Sequence, residues 1–289
     1  MRHLPWTVSS QACYGRDEPC LKGCVKVRKT DIDRHARHIL LKEIGGPGQA
    51  RLGAAKVVMI GAGGLGAPAA LYLAAAGIGQ ITLVDPDTVS LDNLQRQVLF
   101  RTSDIDRPKV DAAKDALHAL DPAVSIETHR LLADASNLPA LVEGADLVLD
   151  GCDDFATRFA VNDAAIAART PLISGAVGRW DGQVSTFAPH LGPHAPCYRC
   201  LVPDIPPDAE SCAVTGIVGA ITGIAGTLMA LETIKLITGA GEPLIGRVQI
   251  VDGLSGALRT VKLARDPACR ACGSQAAASA SSSRDASGS

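Results

Sequence analysis

Residues 57–85 read VVMIGAGGLGAPAALYLAAAGIGQITLVD, and this stretch decides the fold. An apolar run, KVVMIG, reads as a buried strand. APAALYLAAAG follows as a helix ended by Gly77, and QITLVD is the next strand. Gly61, Gly63 and Gly66 fit G-x-G-x-x-G between strand and helix, with Gly64 beside them. The first glycine serves the tight turn, the second the approach of a phosphate, and the third close strand–helix packing. The helix start then offers free N–H groups and a positive dipole to an anion. Asp85 closes the second strand, where an acid meets ribose hydroxyls. The unit therefore predicts an adenine nucleotide with an unmodified ribose, without choosing between NAD and another nucleotide.

Outward from this unit the chain alternates apolar runs with amphipathic stretches, as in a sheet covered by helices. RPKVDAAKDALHAL predicts a helix with Pro108 in its first turn. SIETHR, ADLVLDG and TPLISGAV read as strands, and GRVQIVDG and GALRTVKL as late strands of a smaller sheet. The expectation is an α/β fold, a Rossmann-like doubly wound, mostly parallel sheet with a smaller C-terminal antiparallel sheet. Residues 1–28 read as a poorly ordered extension, 29–273 as the folded domain, and the Ser/Ala-rich 274–289 as a disordered tail.

With 289 residues the chain can bury a sizeable core. A net charge of -2 and 3% aromatics offer neither a basic field nor a stacking surface, so no nucleic-acid partner is expected. The first residues lack the apolar core of a secretory signal, which predicts a cytoplasmic protein. GIVGAITGIAGTLMALETIKLI, 216–237, is apolar for about 16 residues where a span needs about 20, before Glu232 and Lys235 interrupt it. It predicts a buried helix at a domain or subunit interface and no membrane span.

Three further segments bear on which nucleotide is used. They are VDPDTVSLDNLQRQVLF (84–100), RPKV (107–110) and LDGCDDFATRFAVND (149–163). Together they resemble the ubiquitin-activating-enzyme-like adenylyltransferases of the ThiF/MoeB/HesA family. That family carries D-x-x-x-V-x-x-x-N-L-x-R-Q, then a lysine at the next helix start, then D-x-x-D ending a later strand. Upstream, DRHARHILL is similar to its R-x-x-R helix, and GGPGQARL to its G-x-x-G-Q-x-x-L. The resemblance covers roughly residues 31 to 273.

Joining a carboxylate to ATP brings two anions together, so catalysis is mainly charge neutralisation and alignment. Arg96 and Lys109 supply cations, and Asn93 and Gln97 can hold further phosphate oxygens. Asp153, past a strand end, is a hard oxygen ligand suited to Mg²⁺. The resemblance implies that Asp85 holds the ribose, with Asp87 beside it. It gives the phosphates to Arg96 and Lys109 and the metal to Asp153. Arg37 then reaches the terminal phosphates from the other subunit of a homodimer. Bland readings stand beside these: Arg34 and Arg37 as a solvated helix face, Lys109 as a surface lysine, and Asp150 with Arg158 as a loop-ordering pair.

Cys197 and Cys200 in CYRC, and Cys269 and Cys272 in CRAC, form two C-x-x-C knuckles. Four such thiolates make a closed tetrahedral zinc site, which is structural because no position is left for water. A redox pair is the alternative. Cys212, in SCAVTGIVG, resembles a family cysteine that in some members becomes linked to the partner protein. A thiol with a chemical role and a small buried residue are both open readings. Cys152 reads as packing, and Cys13, Cys20 and Cys24 receive no role.

The expected activity is Mg·ATP-dependent adenylation of the C-terminal glycine carboxylate of a small ubiquitin-like sulfur carrier, ThiS- or MoaD-like, ending in Gly-Gly. Pyrophosphate leaves, and the acyl-adenylate serves thiamine or molybdopterin synthesis. The chain ends soon after the second knuckle, so sulfur is expected from a donor protein in trans. The alternatives are adenylation of another carboxylate, such as one on a modified tRNA, an NAD-dependent oxidoreductase, and a non-catalytic binding module.

Overall fold

The computed structural model describes residues 29–205 and 216–273. The expected extension and tail lie outside them, as do Cys13, Cys20, Cys24 and Cys212. Eight strands form one sheet in the order β3-β2-β1-β4-β5-β6-β7-β8. The first five are β1 (Lys56–Ile60), β2 (Gln80–Val84), β3 (Ser125–His129), β4 (Leu147–Asp150) and β5 (Leu172–Val177). They pair in parallel. β6 (Asp181–Phe187), β7 (Arg247–Asp252) and β8 (Ala257–Lys262) then continue from β5 in antiparallel fashion. The late strands are therefore not a separate smaller sheet. β6 bonds to β5 and β7 at once and carries the same sheet onward.

β1, β2, β4 and most of β5 are buried on both faces because helices cover both, whereas β3 at the sheet edge buries only Ile126. Along β1, Val57 and Met59 join one core, while Val58 and Ile60 join the other, the period-two alternation of a strand. The first core takes α3 (Gly45–Ala54), α4 (Gly66–Ala75), α5 (Lys109–Leu120) and α9 (Gly219–Thr238). The second takes α6 (Leu138–Val142), α7 (Phe155–Ala168) and Tyr198 of α8 (Tyr198–Leu201). Two short helices, α1 (Lys29–Arg34) and α2 (Ala36–Ile39), precede α3. Pro108 stands just outside α5 as its N-cap rather than in its first turn.

By length and composition alone, α9 is apolar enough to cross a membrane. Here it lies on β5 and β6 between α3 and α4. Its Glu232 is buried and satisfied, accepting from the Leu244 N–H at 2.6 Å and the Thr186 hydroxyl at 3.3 Å, and pairing with Lys235 at 2.5 Å. The strand order reverses between β1 and β4. The C-terminal ends of those two strands open the crevice where such sheets bind ligands.

Candidate functional site

The loop after β1 enters this crevice under tight constraint. Gly61 has φ +91, open to glycine at little cost, and its N–H bonds the Val84 carbonyl at 2.8 Å. A Cβ at Gly61 would stand 3.0 Å from the Gly151 carbonyl oxygen, in the loop after β4. A Cβ at Gly66 would stand only 2.0 Å from the Gly61 oxygen, and one at Gly64 3.1 Å from Thr222 of α9. Gly63 is different: a Cβ there meets only the Gln97 side-chain amide, at 3.6 Å. Three of the four glycines are thus spent on packing, and Gly63 alone borders free space. Beside it, Gln97 is buried and its Oε1 has no hydrogen-bond partner. An orphaned buried acceptor takes a water or a hydroxyl, whereas the amide nitrogen of the same side chain, nearest Gly63, is the group that can donate to an anion.

Asp85, at the end of β2, is buried. One carboxylate oxygen accepts from the Ala62 N–H at 2.8 Å and the other from the Asp87 N–H at 2.9 Å. It fastens the glycine loop to β2, and each oxygen keeps a further lone pair. Lys109 is not a surface lysine. As the first residue of α5 it is 5% exposed, with Nζ 2.8 Å from an Asp87 carboxylate oxygen. Asn93 is nearly buried in the 3₁₀ turn Leu91–Asn93, its amide donating to Asp92 at 3.2 Å. Arg96 is half-exposed and spends one N–H on the Asp92 carbonyl at 3.0 Å, leaving most of its fork free. The start of α9 backs this segment: a Cβ at Gly219 would lie 2.2 Å from the Gln95 carbonyl, and the Thr222 hydroxyl reaches the Arg96 carbonyl at 3.3 Å. Nothing in the sequence pointed to Thr222.

The third side of the crevice is the loop after β4. Asp150 is fully buried and committed. It accepts from the Cys152 N–H at 3.1 Å and the Ser174 hydroxyl at 2.7 Å, and Arg158 lies 3.7 Å away. The loop-ordering reading of Asp150 and Arg158 holds. Burial, then the neighbouring Asp150, pushes the Cys152 thiol far above its usual range, as its packing role requires. Asp154, which sequence reading passed over, caps α7 by accepting from the Thr157 N–H at 2.7 Å. That hydrogen bond holds its carboxyl below the usual range. Asp153, between them, is exposed, and no hydrogen bond to it is seen among the described residues.

Arg37 is elsewhere. Its neighbour His35 fills the space beside Gly77, ahead of β2, and Arg34 bonds the Leu120 carbonyl at 3.0 Å and pairs with Asp121 at 3.7 Å, ahead of β3. These are the N-terminal ends of the strands. Arg37 is exposed at the end of the sheet opposite the glycine loop, so its own chain does not bring it to the crevice.

The two knuckles meet. The sulfurs of Cys197, Cys200, Cys269 and Cys272 all lie within 4.8 Å of one another, with 197–200, 197–269 and 200–272 at 4.0, 3.6 and 3.5 Å. A tetrahedron with zinc–sulfur bonds near 2.3 Å has edges of about 3.8 Å. All four are free thiols, and the donor set fits a metal. Backbone N–H groups support it. That of Asp266 points at Cys200 at 3.4 Å. At Cys269 burial opposes the thiolate, but bonds from the Ala271 and Cys272 N–H groups and from the Cys197 and Cys200 side chains together lower the thiol. Cys272 is pushed up to about 11 by burial.

Residues 35–271 match the ThiF family. The chain is 42% identical over 251 residues to a sulfur carrier protein adenylyltransferase of Thermus thermophilus, covering 86% of this chain and 93% of that one. It is equally 42% identical over 246 residues to a SAMP-activating enzyme E1 of Haloferax volcanii, covering 84% and 90%. A probable adenylyltransferase/sulfurtransferase MoeZ of Mycobacterium tuberculosis is 43% identical, with 64% of its length spanned. Among solved structures, E. coli MccB with ATP superposes with a TM-score of 0.71 at 27% identity, covering 83% of this chain and 74% of that one.

Proposed function

The chain belongs to the ThiF family, and from that premise we propose that it adenylates the C-terminal glycine carboxylate of a small ubiquitin-like sulfur carrier. A carboxylate oxygen attacks the α-phosphorus of ATP, a phosphorus–oxygen bond forms, and the bond to pyrophosphate breaks. The observation that carries this reading is the free space at Gly63, bordered by the Gln97 side-chain amide nitrogen, a donor that can meet a phosphate oxygen. It sits among cations on two other segments, as a polyphosphate requires. The names of the two relatives spanned almost end to end agree with the substrate.

In this reading Asp85 offers its remaining lone pairs to the ribose. Asn93, Arg96, Gln97 and Lys109 hold phosphate oxygens, Lys109 by exchanging Asp87 for phosphate. Asp153 would hold Mg²⁺, which when bound neutralises phosphate charge. The four cysteines hold one structural zinc. Arg37 acts on a second copy of the chain in a homodimer. Sulfur comes from a separate donor protein, and the setting is the cytoplasm.

The test is ATP–pyrophosphate exchange with ThiS-like and MoaD-like carriers and with a carrier lacking its terminal glycine. Exchange that needs an intact Gly-Gly carrier is the expected result. Equal exchange with the truncated carrier, or tight NAD binding in place of ATP, overturns the reading.

A further inference from the structure

Between the crevice and the cysteine centre runs a buried polar network that the reaction as described leaves unused. Its centre is Arg158, on the first turn of α7 and 6% exposed. The guanidinium donates to the Cys152 carbonyl, lies 3.4 Å from the Ser174 hydroxyl, and pairs with Asp150. A buried charge is tolerated when it is paired and bonded. Burial works against this one, and Asp150 together with the other groups around it more than offsets that.

Arg158 shares a cleft with the side chain of Tyr198. It holds about 10 Å³, roughly one water in size, and Ser174 and Phe187 line it with them. Tyr198 follows the ligand-type Cys197 directly. Its N–H bonds Asn162 at 2.8 Å, and its ring packs against Phe159 and Phe187 at centroid distances of 5.8 and 5.7 Å. Arg158 therefore bonds the loop after β4 through Cys152 and shares its cleft with Tyr198, which fastens the knuckle to α7 through Asn162 and Phe159. Asp153 stands between the Cys152 peptide, which Arg158 holds, and Asp154, which α7 holds.

We propose that Arg158 is a positioning residue for Asp153, and that the cysteine centre sets Arg158 through Tyr198. The metal knuckle then orders the reaction loop as well as the C-terminal segment. The assignment to the reaction rests on the adenylation reading above, whereas the ordering of the loop does not.

The experiment uses the full chain loaded with zinc. Tyr198→Phe keeps the ring and removes the hydroxyl, and Arg158→Lys keeps a charge for Asp150 and removes the fork. Amide hydrogen exchange is read at residues 150–156, with 61–66 as the internal reference. The Mg²⁺ concentration for half-maximal pyrophosphate exchange is measured in parallel. Both variants should retain zinc and exchange about tenfold faster at 150–156 with little change at 61–66. Both should need several-fold more Mg²⁺ while the KM for ATP stays near that of the wild type. Stripping zinc from the wild type with a chelator should speed exchange at 150–156, and reloading should restore it. Exchange at 150–156 within about twofold of the wild type, on stripping or in a zinc-retaining variant, overturns the proposal. If the loop responds but the wild type performs no carrier-dependent exchange, the ordering stands and the adenylation reading falls.

Discussion

A methyl group added at Gly66 and one added at Gly63 are chemically the same change with opposite consequences. At Gly66, alanine gains helix propensity worth about 1 kcal/mol. Its Cβ would nevertheless press to 2.0 Å on the Gly61 carbonyl, a backbone atom that cannot turn aside. Overpacking of about 1–3 kcal/mol should win, so Gly66→Ala lowers the melting temperature and loosens the loop. At Gly63 the added carbon meets only a side-chain amide at 3.6 Å. Gly63→Ala should leave the melting temperature within a few degrees, yet block the space a phosphate would enter. Thermal denaturation and ATP calorimetry on the two variants check this. Equal loss of stability in both, or full ATP binding by Gly63→Ala, would contradict the assignment of free space to Gly63 alone. The motif was legible in the sequence, but this division of labour was not, because it depends on Gly61, Gly151 and Thr222 arriving from three parts of the chain.

Elements show the same limit. β1, β2 and α4 were readable because strand and helix periods alternate within one short stretch. β6 was not: GRWDGQVSTF carries glycine in its interior, and its turn, closed by the Gly178 N–H on the Asp181 carbonyl at 2.8 Å, lacks an Asn-Gly type signature. Missing β6 made β7 and β8 look like a separate sheet. The knuckles were legible from spacing alone, since C-x-x-C pairs carry their geometry with them. What surrounds them was not. Arg265 bonds the Cys272 carbonyl and, at 3.2 Å each, those of Pro189 and Gly192, tying the second knuckle to the body. β7 and β8 are hydrogen-bonded into the main sheet and need no metal to stay there. Cys269→Ser should therefore take the zinc content from one per chain to none and admit protease after β8, near residues 263–273. The sheet and ATP binding should survive. Elemental analysis and limited proteolysis test this, and cleavage before residue 247 would show that the centre supports more of the fold.

On the scale of the whole molecule, one sheet face carries the unfinished business. α3, α4, α5 and α9 cover that face, and α2 leads into α3. Tyr72, Ile224 and Leu231 are exposed on α4 and α9 at 56, 45 and 51%. Such side chains on adjacent helices form an apolar surface suited to a second copy. Arg37 stands at the N-terminal end of the strands and the crevice at the C-terminal end. A two-fold axis that pairs these faces with the sheets antiparallel carries each Arg37 end to the other copy's crevice. The proposed trans role makes a numerical prediction. Arg37→Ala and Asp153→Asn should each abolish carrier-dependent exchange as pure proteins. Mixed and allowed to re-pair, half the dimers should be heterodimers, and in each of these one crevice receives both intact residues. Activity should return to about one quarter of the wild-type value per site. No recovery in a mixture shown by native mass spectrometry to contain heterodimers would place Arg37 outside the partner's crevice. Recovery before subunits exchange would mean that Arg37 acts without a dimer.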